Sequence, residues 1–104
     1  MAANRAHETL AVAGTAVAPA TTRAQIRDYG SEFVLCSTTA DVRFTLDGIN
    51  NPAVGAGSEV GCLLRSTDLG VILTSEEFLN SKWLDVSTDA RVQFSFHGAN
   101  RERS

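Results

Sequence analysis

The chain has 104 residues, 43% of them hydrophobic, and a formal net charge of −3. This length suits one domain with a modest core, and the apolar fraction is typical of a folded protein. Because 12 acidic residues outnumber 9 basic ones and no basic stripe carries interleaved aromatic residues, the composition argues against nucleic-acid binding. The apolar runs have the length of strands, so we expect no membrane-spanning segment, and the N-terminus lacks the pattern of a secretory signal.

Residues 1–20 are interpreted as an N-terminal arm or a first strand. The first few are polar, and the rest alternate loosely, with Leu10, Val12 and Val17 placed around a turn or bulge at Gly14-Thr15. An apolar segment without a strong strand pattern could become ordered on a partner, whereas an ordinary first strand with a frayed end has the same composition. The sequence leaves both interpretations open.

The clearest strand patterns lie in the middle of the chain. Ser31–Ser37 is apolar, aromatic or β-branched on both faces, which predicts a central strand. Asp41–Leu46 alternates strictly, with Val42, Phe44 and Leu46 pointing to one face. We expect these two strands to form a hairpin with each other.

Further short strands are expected at Val60–Leu64, Leu69–Thr74, Ser81–Val86 and Ala90–His97. In the last of them Val92, Phe94 and Phe96 are predicted to point inward, whereas the buried face of the strand that contains Trp83 is left open. A capping-box pattern that begins at Thr74 predicts one helical turn. The segment 21–30 is either a loop or a helical turn capped by a threonine.

About seven or eight short strands, Gly, Asn and Asp turns and the absence of a long helix predict an all-β fold. The expected architecture is a two-layer antiparallel β-sandwich, jelly-roll-like, with an extended N-terminal arm and one short helical turn. We expect the sandwich to span residues 21–98 and residues 99–104 to form a polar tail.

No residue pattern indicates an enzyme, a cofactor or a metal site. Nothing in the sequence places His7 or His97 beside a nucleophile. Cys36 and Cys62 lie in apolar runs and are interpreted as buried free thiols, with a disulfide open only if their strands adjoin. The loop from Asp47 to Ser58 offers oxygens but lacks the acidic spacing of a calcium loop. Long ordered loops are often functional.

The segment DVRFTLDGINNP at Asp41–Pro52, with Gly55, Gly57 and Cys62–Leu64 after it, resembles small β-sandwich proteins from the virions of tailed bacteriophages. Those carry a V-R-[FY]-T-L-D-G strand, a Thr/Asn-Pro turn, a glycine loop and a Leu-Leu strand. The later SEEFLNSKWLDV and RVQFSF segments are also similar, so the resemblance covers roughly residues 31–97. This chain has an apparent extra residue at Asn50-Asn51, and its first thirty residues match only loosely. A shorter resemblance, of one hairpin, is to sandwich domains appended to carbohydrate-active enzymes.

The phage resemblance implies a structural virion protein of the capsid cement, or decoration, type. Such a protein is made in the host cytoplasm and resides on the capsid surface, where its partners are the major capsid protein and neighbouring copies, or a homo-oligomer, without nucleic acid or membrane. The contact residues are then expected in the arm and the loop: Leu10, Val12, Val17, Asp47, Asn50, Asn51 and Pro52. The alternatives are another virion component (head-fibre base, connector or tail protein) and a carbohydrate-binding module.

Overall fold

This computed structural model describes residues 2–55, 57, 59–86 and 89–99. In chain order the elements are β1 (Ala2–Val12), α1 (Arg23–Tyr29), β2 (Phe33–Thr38), β3 (Val42–Thr45), β4 (Cys62–Leu64), β5 (Val71–Thr74), α2 (Ser75–Leu79), β6 (Lys82–Asp85) and β7 (Ala90–Ala99). The strands form two antiparallel sheets, with strand orders β1-β7-β2-β5 and β4-β3-β6. The predicted two-layer antiparallel sandwich is confirmed. Residues 100–104, most of the predicted tail, lie outside the described residues.

The core is built on the inner face of β7. Val92, Phe94 and Phe96 are fully buried, as their alternation predicted. Phe94 meets Trp83 of β6 edge-on with ring centroids 5.4 Å apart, and meets Phe78 of α2 in the same manner at 5.0 Å. Edge-to-face pairs of this kind add to the free energy gained from burial alone. The face of β6 that carries Trp83 is therefore the inner face.

Both helices begin with a capping box. At α1 the Thr22 hydroxyl accepts a hydrogen bond from the backbone N–H of Gln25, and at α2 the Thr74 hydroxyl accepts one from that of Glu77. These side chains satisfy backbone groups that a helix start leaves unpaired. The helix predicted at Thr74 is confirmed, and the segment 21–30 forms a helix and not a loop. The predicted fold contained one short helical turn, whereas the structure contains two short helices.

The predicted hairpin between β2 and β3 is wrong, because the two strands belong to different sheets. The backbone N–H of Thr39 still donates to Arg91 O of β7, at 3.1 Å. Two residues later, Asp41 O accepts from the N–H of Val86, at the end of β6, also at 3.1 Å. The segment between them therefore crosses from one sheet to the other. β2 does lie inside its sheet as predicted, but only one of its faces is covered, since Leu35 is 37% exposed.

The first residues of the chain form a strand, not a free arm. β1 pairs with β7 along its length, with one irregularity near Asn4. The chain then crosses to the second sheet, where Val17 and Trp83 exchange backbone hydrogen bonds of 2.9 and 2.8 Å. Ala13 O also accepts from the N–H of Asp85, at 3.2 Å. Residues 2–17 thus run along the edge of both sheets and close one side of the sandwich.

The opposite side of the sandwich is open. β5 ends the first sheet and β4 ends the second, and the two strands are joined by a short connection. In the part of the chain that the structure describes, the exposed large hydrophobic side chains are concentrated in sequence near these two strands: six lie between residues 49 and 72, and the seventh, Leu35, is the cross-strand partner of Ile72. The members of this set are Leu35, Ile49, Val54, Val60, Leu63, Leu69 and Ile72. A concentrated exposed apolar surface is typical of an interaction site.

Candidate protein-binding groove

The loop after β3 is organised by the carboxylate of Asp47. Its Oδ1 accepts hydrogen bonds from the backbone N–H groups of Ile49 and Asn50, both at 2.9 Å. Its Oδ2 accepts one from the side-chain amide of Asn50 at 2.6 Å. The two backbone N–H groups and then the amide favour the charged form, so the pKa of Asp47 is lowered. An aspartate that caps its own turn in this way fixes the conformation of the loop.

Three further contacts anchor the same loop. The N–H of Gly48 donates to Asn80 O at 3.1 Å, which ties the turn to the end of α2. Thr45 Oγ1 donates to Asn50 O at 2.6 Å. Ala53 and Val60 then exchange two backbone hydrogen bonds of 3.0 Å. The base of the loop is therefore ordered on the sandwich, whereas Ala56 and Ser58 lie outside the described residues.

A groove of about 510 Å³ lies between this loop and the edge of the second sheet. Carbon-rich side chains from β3, β4 and the returning loop line it, and two polar side chains of the Asp47 turn stand on one wall. The lining includes Phe44, Leu46, Asp47, Asn50, Val60 and Cys62. We name this feature the loop groove. Mostly apolar concavities with a few placed polar groups are the usual form of binding sites.

Exposed apolar side chains are close to the loop groove in sequence. Ile49, next to the Asp47 turn, is 80% exposed, and Val60, on the groove wall, is 40% exposed. Leu63, next to Cys62, is 37% exposed. Burial of these side chains by a partner would be favourable, at roughly 25 cal/mol per Å² of apolar surface.

Gly61 lines the loop groove at a position where a residue with a side chain would be strained. Its φ is +102°, and a Cβ built there would lie 2.6 Å from Phe44 O. The guanidinium of Arg43 donates a 2.9 Å hydrogen bond to Gly61 O and so holds the strand start in place. Because Gly61 can lie this close to β3, the next residue, Cys62, can begin β4 and pair with β3.

Of the loop residues expected to contact a partner, Asp47 and Asn50 line the loop groove and Asn51 is exposed beside it. Pro52 is buried and supports the loop from within. These four residues are neighbours in one loop segment, and they differ in their access to a partner.

The three expected contact residues of the N-terminal segment lie elsewhere. Val12 is 1% exposed, and Leu10 and Val17 are packed against the buried core. Their side chains complete the interior of the same chain, so we do not place them in an interface. The sequence pattern does not show that these side chains are buried, because the strands that pair with residues 2–17 lie near the other end of the chain.

The two cysteines have different environments, and both are free. Cys36 is buried as predicted, and burial raises the pKa of its thiol to about 12. Cys62 is exposed and lines the loop groove, so the prediction of a buried thiol is wrong there. Both positions are in strands, but in different sheets.

The described residues contain no cluster of three or more His, Cys, Asp and Glu side chains that could hold a metal ion. His97, at the end of β7, stacks on Phe33 with ring centroids 5.3 Å apart. Its Nε2 also shares a 2.8 Å hydrogen bond with Ser95 Oγ. These contacts hold the ring on the outer face of the first sheet.

In the part of the chain that the structure describes, no helix has the length and apolar character needed to cross a membrane.

Ile49, Val60 and Leu63 were absent from the sequence-based contact residues. The sequence did contain a signal, since these apolar residues stand in or beside a glycine- and asparagine-rich loop. No alternating pattern there indicates that their side chains point into the core.

No family model, no curated protein and no solved structure matches this chain.

Proposed function

We propose that this chain is a non-enzymatic capsid cement protein of a tailed bacteriophage, which binds the major capsid protein through the loop groove. The proposal rests on one observation: the phage-like segment of the sequence forms the walls of the loop groove. The segment that resembles phage virion proteins, Asp41–Pro52 with Cys62–Leu64, forms β3, the Asp47 turn and β4. These same elements supply most of the groove walls.

The physical role of the loop groove follows from its lining. A partner side chain that fills the groove would contact Phe44 and Val60. A partner that extends over the Asp47 turn would also cover the exposed Ile49. Well-packed apolar anchors of this kind contribute most of the energy of an interface. Each contact is small, but a shell presents many identical sites, so modest affinity at each site is enough for stable decoration.

The test compares two glutamate substitutions in binding to assembled shells. Val60→Glu places a charge in the groove wall, whereas Thr9→Glu places the same charge on an exposed position of β1 at the closed side. Both variants are first checked for a native circular dichroism spectrum and melting transition. Purified protein is then mixed with phage shells that lack it, and bound protein is measured by co-sedimentation.

We expect wild-type protein and Thr9→Glu to bind and to raise the temperature at which the shells rupture. Val60→Glu should bind at least about tenfold more weakly, because a desolvated unpaired carboxylate costs more than 1.4 kcal/mol. Equal binding by both variants would reject the groove as the contact. Failure of wild-type protein to bind any shell would reject the capsid role itself.

A further inference from the structure

One wall of the loop groove carries a negative charge that no salt bridge neutralises. Asp47 lines the groove and is exposed. Its hydrogen bonds lower the pKa of the carboxyl group, so the carboxylate is charged at neutral pH. Within the described residues, the salt bridge that forms joins Arg23 to Glu76, and no basic side chain there pairs with Asp47. The charge is therefore open to a group from outside the chain.

The basic residue that is next to the groove lining in sequence, Arg43 of β3, does not supply the missing charge. Its guanidinium donates to Gly61 O at 2.9 Å and forms no salt bridge within the described residues. Glu59, which is exposed and adjacent to Val60 of the groove wall, adds a second carboxylate. Among the lining residues and their immediate neighbours in the chain, acidic side chains thus outnumber the basic one.

The Asp47 turn also retains hydrogen-bond acceptors for a partner. A carboxylate offers about four acceptor positions, and three hydrogen bonds from Ile49 and Asn50 occupy Asp47. The side-chain amide of Asn50 donates to Asp47 Oδ2, but its own oxygen, Oδ1, accepts no hydrogen bond within the described residues. An acceptor position therefore remains on each of two side chains that are bonded to each other.

A partner that fills the loop groove has to match both its carbon-rich wall and its charge. Phe44 and Val60 favour an apolar group. An apolar group that also covered Asp47 would desolvate the carboxylate without compensation, which is unfavourable. A side chain with an apolar stem and a cationic end meets both requirements. Arginine suits the two acceptors better than lysine, because its guanidinium presents N–H donors in a planar fork and is more weakly hydrated.

We propose that the loop groove binds an arginine side chain of its partner, with the stem against Phe44 and Val60 and the guanidinium on Asp47 and Asn50. The inference rests on the proposed function only in taking the loop groove as the contact site, and it adds the chemistry of the group that is bound. Val60→Glu is still expected to weaken binding, because Asp47 already neutralises the single guanidinium and the added carboxylate replaces part of the apolar wall.

The test uses the isolated protein and a small probe, so it does not depend on any shell. Nα-acetyl-arginine methylamide is titrated into isotope-labelled protein, and the backbone amide signals are followed by NMR. The matched probe is Nα-acetyl-citrulline methylamide, which has the same stem but a neutral urea group in place of the guanidinium. A comparison of the two probes on wild-type protein isolates the effect of the cation without any substitution.

Two variants separate the charge of Asp47 from its role in the turn. Asp47→Asn keeps a side-chain oxygen that accepts from the N–H groups of Ile49 and Asn50, but removes the charge. Asp68→Asn is the matched control. Asp68 also caps a turn, by accepting from the N–H of Arg65 at 2.9 Å, and it does not line the loop groove.

We expect the arginine probe to shift the amide signals of Ile49, Asn50 and Val60 in wild-type protein, with a dissociation constant on the order of 1 mM. Asp68→Asn should behave in the same way. The citrulline probe with wild-type protein, and the arginine probe with Asp47→Asn, should each bind about threefold more weakly or worse, since an exposed ion pair is lost. Equal binding of the two probes, equal binding by the two variants, or no shifts at these amides would overturn the proposal. Failure to bind shells would reject the capsid role and leave this result unchanged.

Discussion

The indole N–H of Trp83 donates a 2.9 Å hydrogen bond to the hydroxyl oxygen of Ser81, and both side chains are buried. The Ser81 hydroxyl in turn donates to Phe78 O at 2.7 Å. Ser81 is therefore a relay that satisfies the one polar atom of the largest core side chain and joins β6 to the end of α2. Although Ser81 is small, its hydroxyl therefore links the aromatic core to the end of a helix.

The first prediction concerns this relay. Ser81→Ala leaves the Trp83 N–H without a partner in the core, and an unsatisfied buried donor costs about 1–3 kcal/mol. We expect the free energy of unfolding in urea to fall by this amount. Ser37→Ala, on an exposed position of β2, is the matched control and should be nearly neutral. Equal effects of the two substitutions would contradict the relay.

The second prediction concerns the N-terminal strand. Val12→Ala removes two methyl groups from a fully packed site and should lower the free energy of unfolding by about 1–3 kcal/mol. Thr9→Ala, an exposed position on the same strand, should change it little. If residues 2–17 were a free arm, both substitutions would leave urea unfolding unchanged, which would refute their place in the sandwich.

The third prediction concerns the approach of β4 to β3. Gly61→Ala introduces a Cβ that clashes with Phe44 O at a positive φ, and should destabilise the fold by on the order of 1–3 kcal/mol. It should also alter the loop groove and weaken shell binding. Gly14→Ala, where an added Cβ meets nothing within 4 Å, is the control for loss of a glycine. Thermal melting of both variants measures the difference, and a tolerated Gly61→Ala would be the contrary result.

The fourth prediction is a pH dependence that originates at Asp47. Because the folded-state pKa of Asp47 is lowered from its ordinary value of 3.8, its charged form stabilises the fold above that pH. This contribution is lost as the pH falls through the folded-state pKa. We expect Asp47→Ala to be less stable than wild type near about pH 7, with a difference that shrinks in acid. A stability difference that stays constant on acidification would disprove the carboxylate-capped turn.

Local patterns were sufficient where a residue's environment follows from its neighbours in the chain. The alternation in β7 placed Val92, Phe94 and Phe96 inward, and a Thr-to-Glu spacing located the start of α2. Patterns failed where the partner is distant. The hairpin of β2 with β3 does not form because Thr39 pairs with Arg91, a contact that no local pattern encodes.

The candidate site was predictable to a similar extent. Asp47 and Asn50 were expected as contact residues because they lie in the long loop that the phage resemblance covers, and both line the loop groove. Val60 was missed because the exposure of an apolar residue depends on what the loop covers, which only the fold determines. Val12 was assigned to an interface for the opposite reason, since its covering strands are remote in sequence.

The central claim is that the chain decorates a capsid, and its abundance in virions tests that claim most directly. Purified particles of a tailed phage that encodes this chain are analysed by quantitative mass spectrometry against the major capsid protein. The proposal predicts a copy number comparable to that of the major capsid protein, because a cement protein occupies repeated sites of the shell. Absence from the particles, or only the few copies of a connector or tail protein, would contradict it.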